Sequence, residues 1–199
     1  MIRKSAIKTA CNFAKNDIIV SANGFISRDV YSSFEKDTNF YMIGSMGLAS
    51  SIGLGIALKK PKKKVFVFDG DGNILMNLGS LVTIGALQPK NLIHLIFDNN
   101  IHESTGGQPT LANKINISKI AKVANYKIFS VKSMISLENV FMKINKIKGP
   151  ILIHIIVTKS IENSSRVEVS PKKITSRFMS AIKYNEGNNN SSRFRQAYQ

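Results

Sequence analysis

Five short runs of apolar residues, rich in Ile, Val and Phe, recur along the chain, and they are apolar on both faces rather than alternating with polar positions. Runs of this kind are typical of strands that are buried on both sides, as in parallel sheets. The pattern therefore predicts five strands, over residues 17–21, 64–69, 92–98, 127–131 and 151–157.

Longer segments of helical character lie before, between and after these runs. They predict helices over residues 3–14, 27–34, 47–58, 73–87, 117–124, 137–146 and 171–183. Strands and helices that alternate in this order predict an α/β fold, a doubly wound and mostly parallel sheet with helices on both faces. We assign residues 1–184 to this domain and expect the Asn- and Ser-rich residues 185–199 to form a flexible polar tail.

The chain has 199 residues, and its 28 Lys and Arg against 12 Asp and Glu give a formal net charge of +16. Such a charge attracts polyanions. The basic residues are spread along the chain apart from residues 59–64, and no nucleic-acid-binding motif with interleaved aromatic residues is present. We therefore expect a small anionic ligand and no nucleic-acid partner.

The only cysteine, Cys11, excludes a disulfide framework and a Cys-based zinc site, and it agrees with a reducing, cytoplasmic location. Residues 40–58 carry no charge over nineteen residues, which is close to the minimum length of a membrane-spanning helix. Their four glycines and three serines favour a buried loop and helix instead. We expect no membrane contact.

Unusual polar residues follow two of the predicted strands, where open parallel sheets bind their ligands. Residues 69–73 (DGDGN) follow one strand, and residues 98–108, which begin with Asp98 and Asn99, follow the next. The Asp71 carboxylate, the Asn99 amide oxygen, a backbone carbonyl and phosphate oxygens would form an all-oxygen shell for Mg²⁺ or Ca²⁺. The residues thus predict a diphosphate ligand bridged by a divalent cation.

Asp71 and Asn99 lie 28 residues apart, and this pattern resembles the GDG…N signature of thiamine diphosphate enzymes over about residues 3–183. Residues 20–31, 40–58 and 98–110 are most similar to the diphosphate-binding part of phosphonopyruvate and sulfopyruvate decarboxylases. The resemblance implies thiamine diphosphate and Mg²⁺ as cofactors. It implies three metal ligands: Asp71, the side chain of Asn99 and the backbone carbonyl of Ile101.

The same resemblance implies roles for further residues. Beside the metal ligands, those that would contact the cofactor are Gly24, Gly44, Ser45, Met46, Gly70, Gly72, Asn73 and His102. Met46 would wedge the cofactor into a bent form. The catalytic candidates on the substrate side are His102, Glu103, Ser104 and Thr105, and which of them donates a proton stays open. Arg28 would contact an anion or lie at the surface, while His94, His154 and Asp69 are expected to be structural.

Enzymes of this family also need an activating glutamate from a separate, pyrimidine-binding domain, and none of the six glutamates lies in a segment that resembles it. The resemblance therefore implies a beta subunit that works with an alpha partner, in a hetero-oligomer of two chains of each kind or more. Phosphonopyruvate, decarboxylated to phosphonoacetaldehyde, is the preferred substrate because residues 102–108 and 170–179 are more similar to that enzyme. The alternatives are sulfopyruvate, an acetolactate-synthase-like carboligase and an inactive cofactor-binding or scaffolding subunit.

Overall fold

The computed structural model describes residues 1–183, so that the predicted tail, residues 185–199, lies outside the described residues. Six strands form the main sheet: β1 Ile18–Ser21, β2 Asn39–Tyr41, β3 Val65–Gly70, β4 Leu92–Asp98, β7 Lys127–Val131 and β8 Ile151–Ile156. All neighbouring strands pair in parallel, in the order β2-β1-β3-β4-β8-β7. Two further strands, β5 Ile101–His102 and β6 Gln108–Pro109, form a separate antiparallel hairpin.

Eight α-helices accompany the strands in residues 1–183: α1 Arg3–Phe13, α2 Phe25–Ser33, α3 Ala49–Lys59, α4 Asp71–Leu75, α5 Gly79–Leu87, α6 Ile117–Val123, α7 Met134–Ile144 and α8 Pro171–Lys183. Helix α1 packs against α2 and α7, whereas α5 packs against α3 and α6, which gives one helical layer on each face of the sheet. Helix α8 packs beside the edge strand β2. The doubly wound α/β fold predicted from the sequence is confirmed.

The strands form the core, since β1 and β4 are buried along their whole length. Phe66, Phe68 and Phe97 are among the largest buried side chains, and Phe68 meets Phe97 edge to face at 5.6 Å between ring centroids. This double-sided burial is the physical reason why the strand sequences lack alternation. Among residues 1–183, no helix is both long and apolar enough to cross a membrane.

The predicted single helix over residues 73–87 is wrong, because two helices, α4 and α5, occupy this segment. They are separated at Asn77, whose Nδ2 donates to the carbonyl of Gly47 at 3.0 Å, while its own carbonyl accepts from Ser80 N at 3.1 Å. These bonds turn the chain between the helices and tie it to the loop before α3. Strand β2 and the β5–β6 hairpin were not predicted.

The chain order of the sheet leaves a crevice between β1 and β3. From β1 the chain runs outward to β2 and then crosses over to β3, on the other side of β1, before it continues to β4. The connections that leave β1 and β3 therefore run in opposite directions, and the carboxyl ends of these two strands border a natural ligand-binding position.

Candidate functional site

A cleft lies at these carboxyl ends. Most of the residues predicted from the sequence line it: Met46, Gly70, Asp71, Gly72, Asn73, Asn99, Ile101, His102, Glu103, Ser104 and Thr105. Gly44 and Ser45 instead line an adjacent groove beside α8. Gly24 is not among the cleft-lining residues and lies close to the side chain of Ser104. The cleft also contains residues that the sequence did not single out: Arg3, Asn23, Phe25, Ile26 and Phe97.

Asp71, the first residue of α4, is 2% exposed. Its carboxylate accepts hydrogen bonds from the Thr110 hydroxyl and from the backbone N–H of Asn99. Burial raises the pKa of Asp71 to about 6, although the bond from Thr110 opposes the rise. No Lys or Arg of residues 1–183 is among the main influences on this pKa, and the site holds a buried carboxyl group that a bound cation would neutralise.

Asn99 and Ile101 lie directly beyond β4. The side-chain nitrogen of Asn99 donates to Glu103 Oε2 at 2.7 Å, and its amide oxygen accepts from Ile101 N at 3.2 Å. Together with Asp71 these residues offer carboxylate, amide and backbone carbonyl oxygens, which are donors that suit Mg²⁺ or Ca²⁺. Within residues 1–183 there is no group of three His, Cys, Asp or Glu side chains that could hold a metal ion.

Two glycines allow the loops around the cleft to approach each other closely. A Cβ atom at Gly72 would lie 2.5 Å from His102 Cε1 and 2.9 Å from Thr110 Cγ2. Gly24 has a φ of +77°, and a Cβ atom there would lie 2.8 Å from Ser104 Oγ. Larger residues would therefore push the segment around residues 102–110 away from the ends of β1 and β3.

A chain of hydrogen bonds between fully buried side chains runs behind the cleft. His94 Nε2 lies 3.0 Å from Asp69 Oδ2, while Asp69 Oδ1 accepts from Gly70 N at 3.0 Å and from Asn73 Nδ2. Asn73 Oδ1 in turn accepts from Gly47 N at 2.8 Å. Asp69 thus orients the turn, as predicted, and His94 has a structural partner. Both ends of the Asn73 amide are engaged within the protein, so its contact with a ligand would come from the main chain.

His154, inside β8, has structural partners as predicted. Its Nε2 lies 2.7 Å from Asp98 Oδ2, and its Nδ1 lies 3.0 Å from Ser118 Oγ. Asp98 Oδ1 also accepts from Asn100 N at 3.0 Å. These bonds hold the start of the segment that continues into β5.

The four substrate-side candidates lie in the β5–β6 hairpin and its turn. His102 is half-buried with its ring over Gly72, whereas Ser104 and Thr105 are exposed at the mouth of the cleft. Glu103 is held by Arg3 and Asn99. Burial raises the pKa of Glu103, and the Arg3 guanidinium opposes this rise. The candidates therefore face the same cleft as Asp71 and Asn99.

Comparison with known proteins relates this geometry to a family. Residues 25–155 match the family model "Thiamine pyrophosphate enzyme, C-terminal TPP binding domain". The chain belongs to this family. The matched range contains every residue named above for the cation and the diphosphate apart from Gly24, so the resemblance stated from the sequence is confirmed at the level of the family.

Relatives of this TPP-binding domain include enzymes and enzyme subunits. The chain is 45% identical over 177 residues to the sulfopyruvate decarboxylase subunit beta of Methanocaldococcus jannaschii, which covers 86% of this chain and 92% of that subunit. It is 39% identical over 166 residues to the phosphonopyruvate decarboxylase of Streptomyces viridochromogenes, which covers 82% of this chain but 42% of that enzyme. The chain thus spans less than half of the second relative.

Solved structures share the fold at low sequence identity. A putative thiamin diphosphate-dependent enzyme from Mycobacterium smegmatis aligns with a TM-score of 0.66 and 17% identity, over 81% of this chain and 32% of the other. Benzoylformate decarboxylase from Polynucleobacter necessarius aligns with the same TM-score and identity, over 82% of this chain and 34% of the other. These likenesses support the fold.

Proposed function

We propose that the cleft binds thiamine diphosphate through Mg²⁺, and that the chain is the cofactor-binding beta subunit of a phosphonopyruvate decarboxylase. The observation that carries the proposal is the buried Asp71 carboxyl group, which accepts from the backbone of Asn99, in a chain of the TPP-binding family. Asp71, the Asn99 side chain and the carbonyl of Ile101 would hold the cation. When bound, the thiazolium ring of the cofactor supplies the electron sink for the release of CO₂.

The remaining cofactor contacts follow from the shape of the cleft. Gly70 and Gly72 let the main chain approach the diphosphate, and Met46 lines the cleft at the position proposed to hold the cofactor bent. The other proposed contacts are Gly24, Gly44, Ser45, Asn73 and His102. Gly47 N is fixed by Asn73, which keeps the loop before α3 close to α4.

On the substrate side, the proposed catalytic residues are His102, Glu103, Ser104 and Thr105. The imidazole of His102 and the carboxyl group of Glu103 are side-chain groups of the kinds that transfer protons in enzyme active sites. The hydroxyl groups of Ser104 and Thr105 are exposed where a small 2-keto acid would enter. Thr105 Oγ1 donates to the carbonyl of His102 at 3.2 Å, which steadies the turn.

An alpha partner with a pyrimidine-binding domain would complete the site in a hetero-oligomer, with two chains of each kind or more. Three relatives named subunit beta support this proposal. So does an exposed apolar rim near Met46, where Ile43 is 52% exposed, Leu48 45% and Met76 63%. Apolar rims beside a cleft are typical of interaction surfaces. We propose a cytoplasmic location, which the single reduced Cys11 supports.

The test is a turnover assay with the full chain, thiamine diphosphate, Mg²⁺ and phosphonopyruvate, with and without a pyrimidine-domain partner. We expect negligible phosphonoacetaldehyde formation by the chain alone and robust formation by the assembled complex. Asp71→Ala should abolish cofactor retention by the complex, whereas Asp37→Ala, at an exposed site, should not. Robust turnover by the chain alone would contradict the proposed division between two subunits.

Sulfopyruvate is the second candidate substrate, because the alignment spans 92% of a sulfopyruvate decarboxylase beta subunit. Both substrates are three-carbon keto acids with an anionic end. A comparison of kcat/KM for the two acids decides between them. Acetolactate formation from pyruvate would instead support a carboligase, and intact cofactor binding without any turnover would support an inactive scaffolding subunit.

A further inference from the structure

We infer that the ion pair between Arg3 and Glu103 is a positioning device that orients the amide of Asn99 toward the bound cation. This inference rests on the proposed role of Asn99 as a metal ligand. Arg3 lines the cleft although it belongs to the first turn of α1 and lies 100 residues from Glu103 in sequence. Its side chain is buried, with 2% of the residue exposed.

The backbone around Arg3 is fixed to the end of β8. Arg3 N donates to the carbonyl of Thr158 at 2.9 Å, and Thr158 N donates to the carbonyl of Met1 at 2.8 Å. This pairing places the start of α1 at the carboxyl edge of the sheet, beside the cleft. The guanidinium is then held by Asp29 Oδ2, 2.8 Å from Nε, and by the ring of Phe25, whose centroid lies 4.8 Å from Cζ. Arg3 is therefore a rigid anchor.

Glu103 transmits this anchoring to Asn99. Its Oε2 accepts from Arg3 Nη1 and also from Asn99 Nδ2, the latter at 2.7 Å. The two ends of an asparagine amide have nearly the same shape, but only the oxygen can bind a cation. Because Glu103 takes the nitrogen end, the oxygen end, which accepts from Ile101 N at 3.2 Å, keeps its second lone pair for the cation. Loss of Glu103 would leave the longer bond from Ile101 N as the hydrogen bond that still restrains this amide, and a flipped amide would turn N–H groups toward the cation.

The charges around Arg3 favour this role over direct recognition of an anionic substrate. One guanidinium faces the carboxylates of both Asp29 and Glu103, which leaves the group with no net positive charge. An additional anion beside Arg3 would also face these two carboxylates, which repel it. Nη2 of Arg3 is buried without a hydrogen-bond partner. The experiment must therefore distinguish the orientation of Asn99 from direct binding of the substrate at this nitrogen.

The probe is Mn²⁺, and its Kd is measured by electron paramagnetic resonance in the presence of thiamine diphosphate, with the full chain assembled with its partner. Glu103→Met should weaken Mn²⁺ binding about 10- to 100-fold, the usual effect of losing a group that orients a metal ligand. Glu138→Met, at an exposed glutamate of α7, is the matched control and should leave the Kd unchanged.

The decisive comparison repeats Glu103→Met in an Asn99→Asp background. Both terminal atoms of Asp are oxygens, so orientation no longer matters, and Glu103→Met should weaken Mn²⁺ binding much less in this background, where only the attraction of the nearby Glu103 charge for the cation is lost. An equal loss in both backgrounds, or no loss in either, would overturn the inference. If Glu103→Met does not fold, Glu103→Gln is compared in the same two backgrounds. We expect it to weaken Mn²⁺ binding at least threefold where residue 99 is Asn, and not where it is Asp.

Arg3→Met should also weaken Mn²⁺ binding. The Kd of the double variant Arg3→Met/Glu103→Met for Mn²⁺ should exceed that of Glu103→Met by no more than about twofold, because the two residues act in one chain of contacts. Arg166→Met is the exposed control. A raised KM for the keto acid with an unchanged Kd for Mn²⁺ would assign Arg3 to the substrate and overturn the inference. If the proposed cation site itself is wrong, Asp71→Ala will bind Mn²⁺ as tightly as the wild type does. This result is distinct from every outcome described above.

Discussion

Replacement of Asp71 by Asn should stabilise the cofactor-free chain at neutral pH while it abolishes stabilisation by the cofactor. Burial raises the pKa of Asp71 from 3.8 to about 6. A carboxyl group with a raised folded-state pKa contributes stability that is present below about pH 4 and is lost as the pH rises through about 6. A rise from 3.8 to about 6 corresponds to a loss of about 3 kcal/mol once the group is ionised.

The asparagine in the Asp71→Asn variant has nearly the same shape and can still accept from Thr110. Its amide N–H group, if left without an acceptor, costs about 1–2 kcal/mol. We therefore expect the cofactor-free variant to be about 1–2 kcal/mol more stable than the wild type at pH 7.5, and no more stable at pH 4. Urea unfolding of the full chain at the two pH values measures this difference.

Thiamine diphosphate with Mg²⁺, at 100 times its Kd, should raise the free energy of unfolding of the wild type by about 2.7 kcal/mol. The Asp71→Asn variant should gain nothing, so the order of stability reverses when the cofactor is added. Asp37→Asn, at an exposed aspartate, is the control. The reasoning is refuted if the cofactor-free Asp71→Asn variant follows the same pH dependence as the wild type and is less stable at pH 7.5.

Three further predictions concern the fold. Burial raises the pKa of the Cys11 thiol to about 12, so a thiol reagent at pH 8 should label it only after unfolding, and fast native labelling would contradict its burial. Ser133 caps α7 through a hydrogen bond from Ser136 N, and Ser133→Ala should cost about 1 kcal/mol in urea unfolding. Asp69→Ala removes the partner of buried His94 and should cost about 2–4 kcal/mol; an unchanged urea midpoint would contradict the network.

The sequence predicts those parts of the fold in which each element carries its own pattern. The five long apolar runs all became strands. Four of them, β1, β3, β4 and β8, are buried on both faces, which requires apolar residues at nearly every position, whereas β7 lies at the edge of the sheet with Lys127 and Ser130 exposed.

Strand β2 has three residues, Asn39–Tyr41, and continues directly into the uncharged residues 40–58, so no polar boundary marks it as a separate strand. The break between α4 and α5 is stabilised by a contact of Asn77 with Gly47, thirty residues away. Its local signal is the presence of Asn77 and Gly79, two poor helix formers, which the prediction of a single helix passed over.

Some residues of the candidate site could likewise be predicted from the sequence, and others could not. Asp71 and Asn99 could be found because each directly follows a strand that the pattern identifies, and parallel strands bring their ends together. Arg3 could not be found, because its partners Asp29 and Glu103 lie 26 and 100 residues away and meet it only through the sheet order. Thr110 was missed for the same reason, since its bond to Asp71 spans 39 residues.

The most direct test of the central claim is a crystal structure of the full chain, assembled with its partner and grown with thiamine diphosphate and Mn²⁺, in which anomalous scattering locates the metal. We predict one Mn²⁺ ion bound by the Asp71 carboxylate, the Asn99 side-chain oxygen and the carbonyl oxygen of Ile101, with diphosphate oxygens completing its shell. A metal ion held by other residues, or a diphosphate bound away from the ends of β3 and β4, would contradict the account.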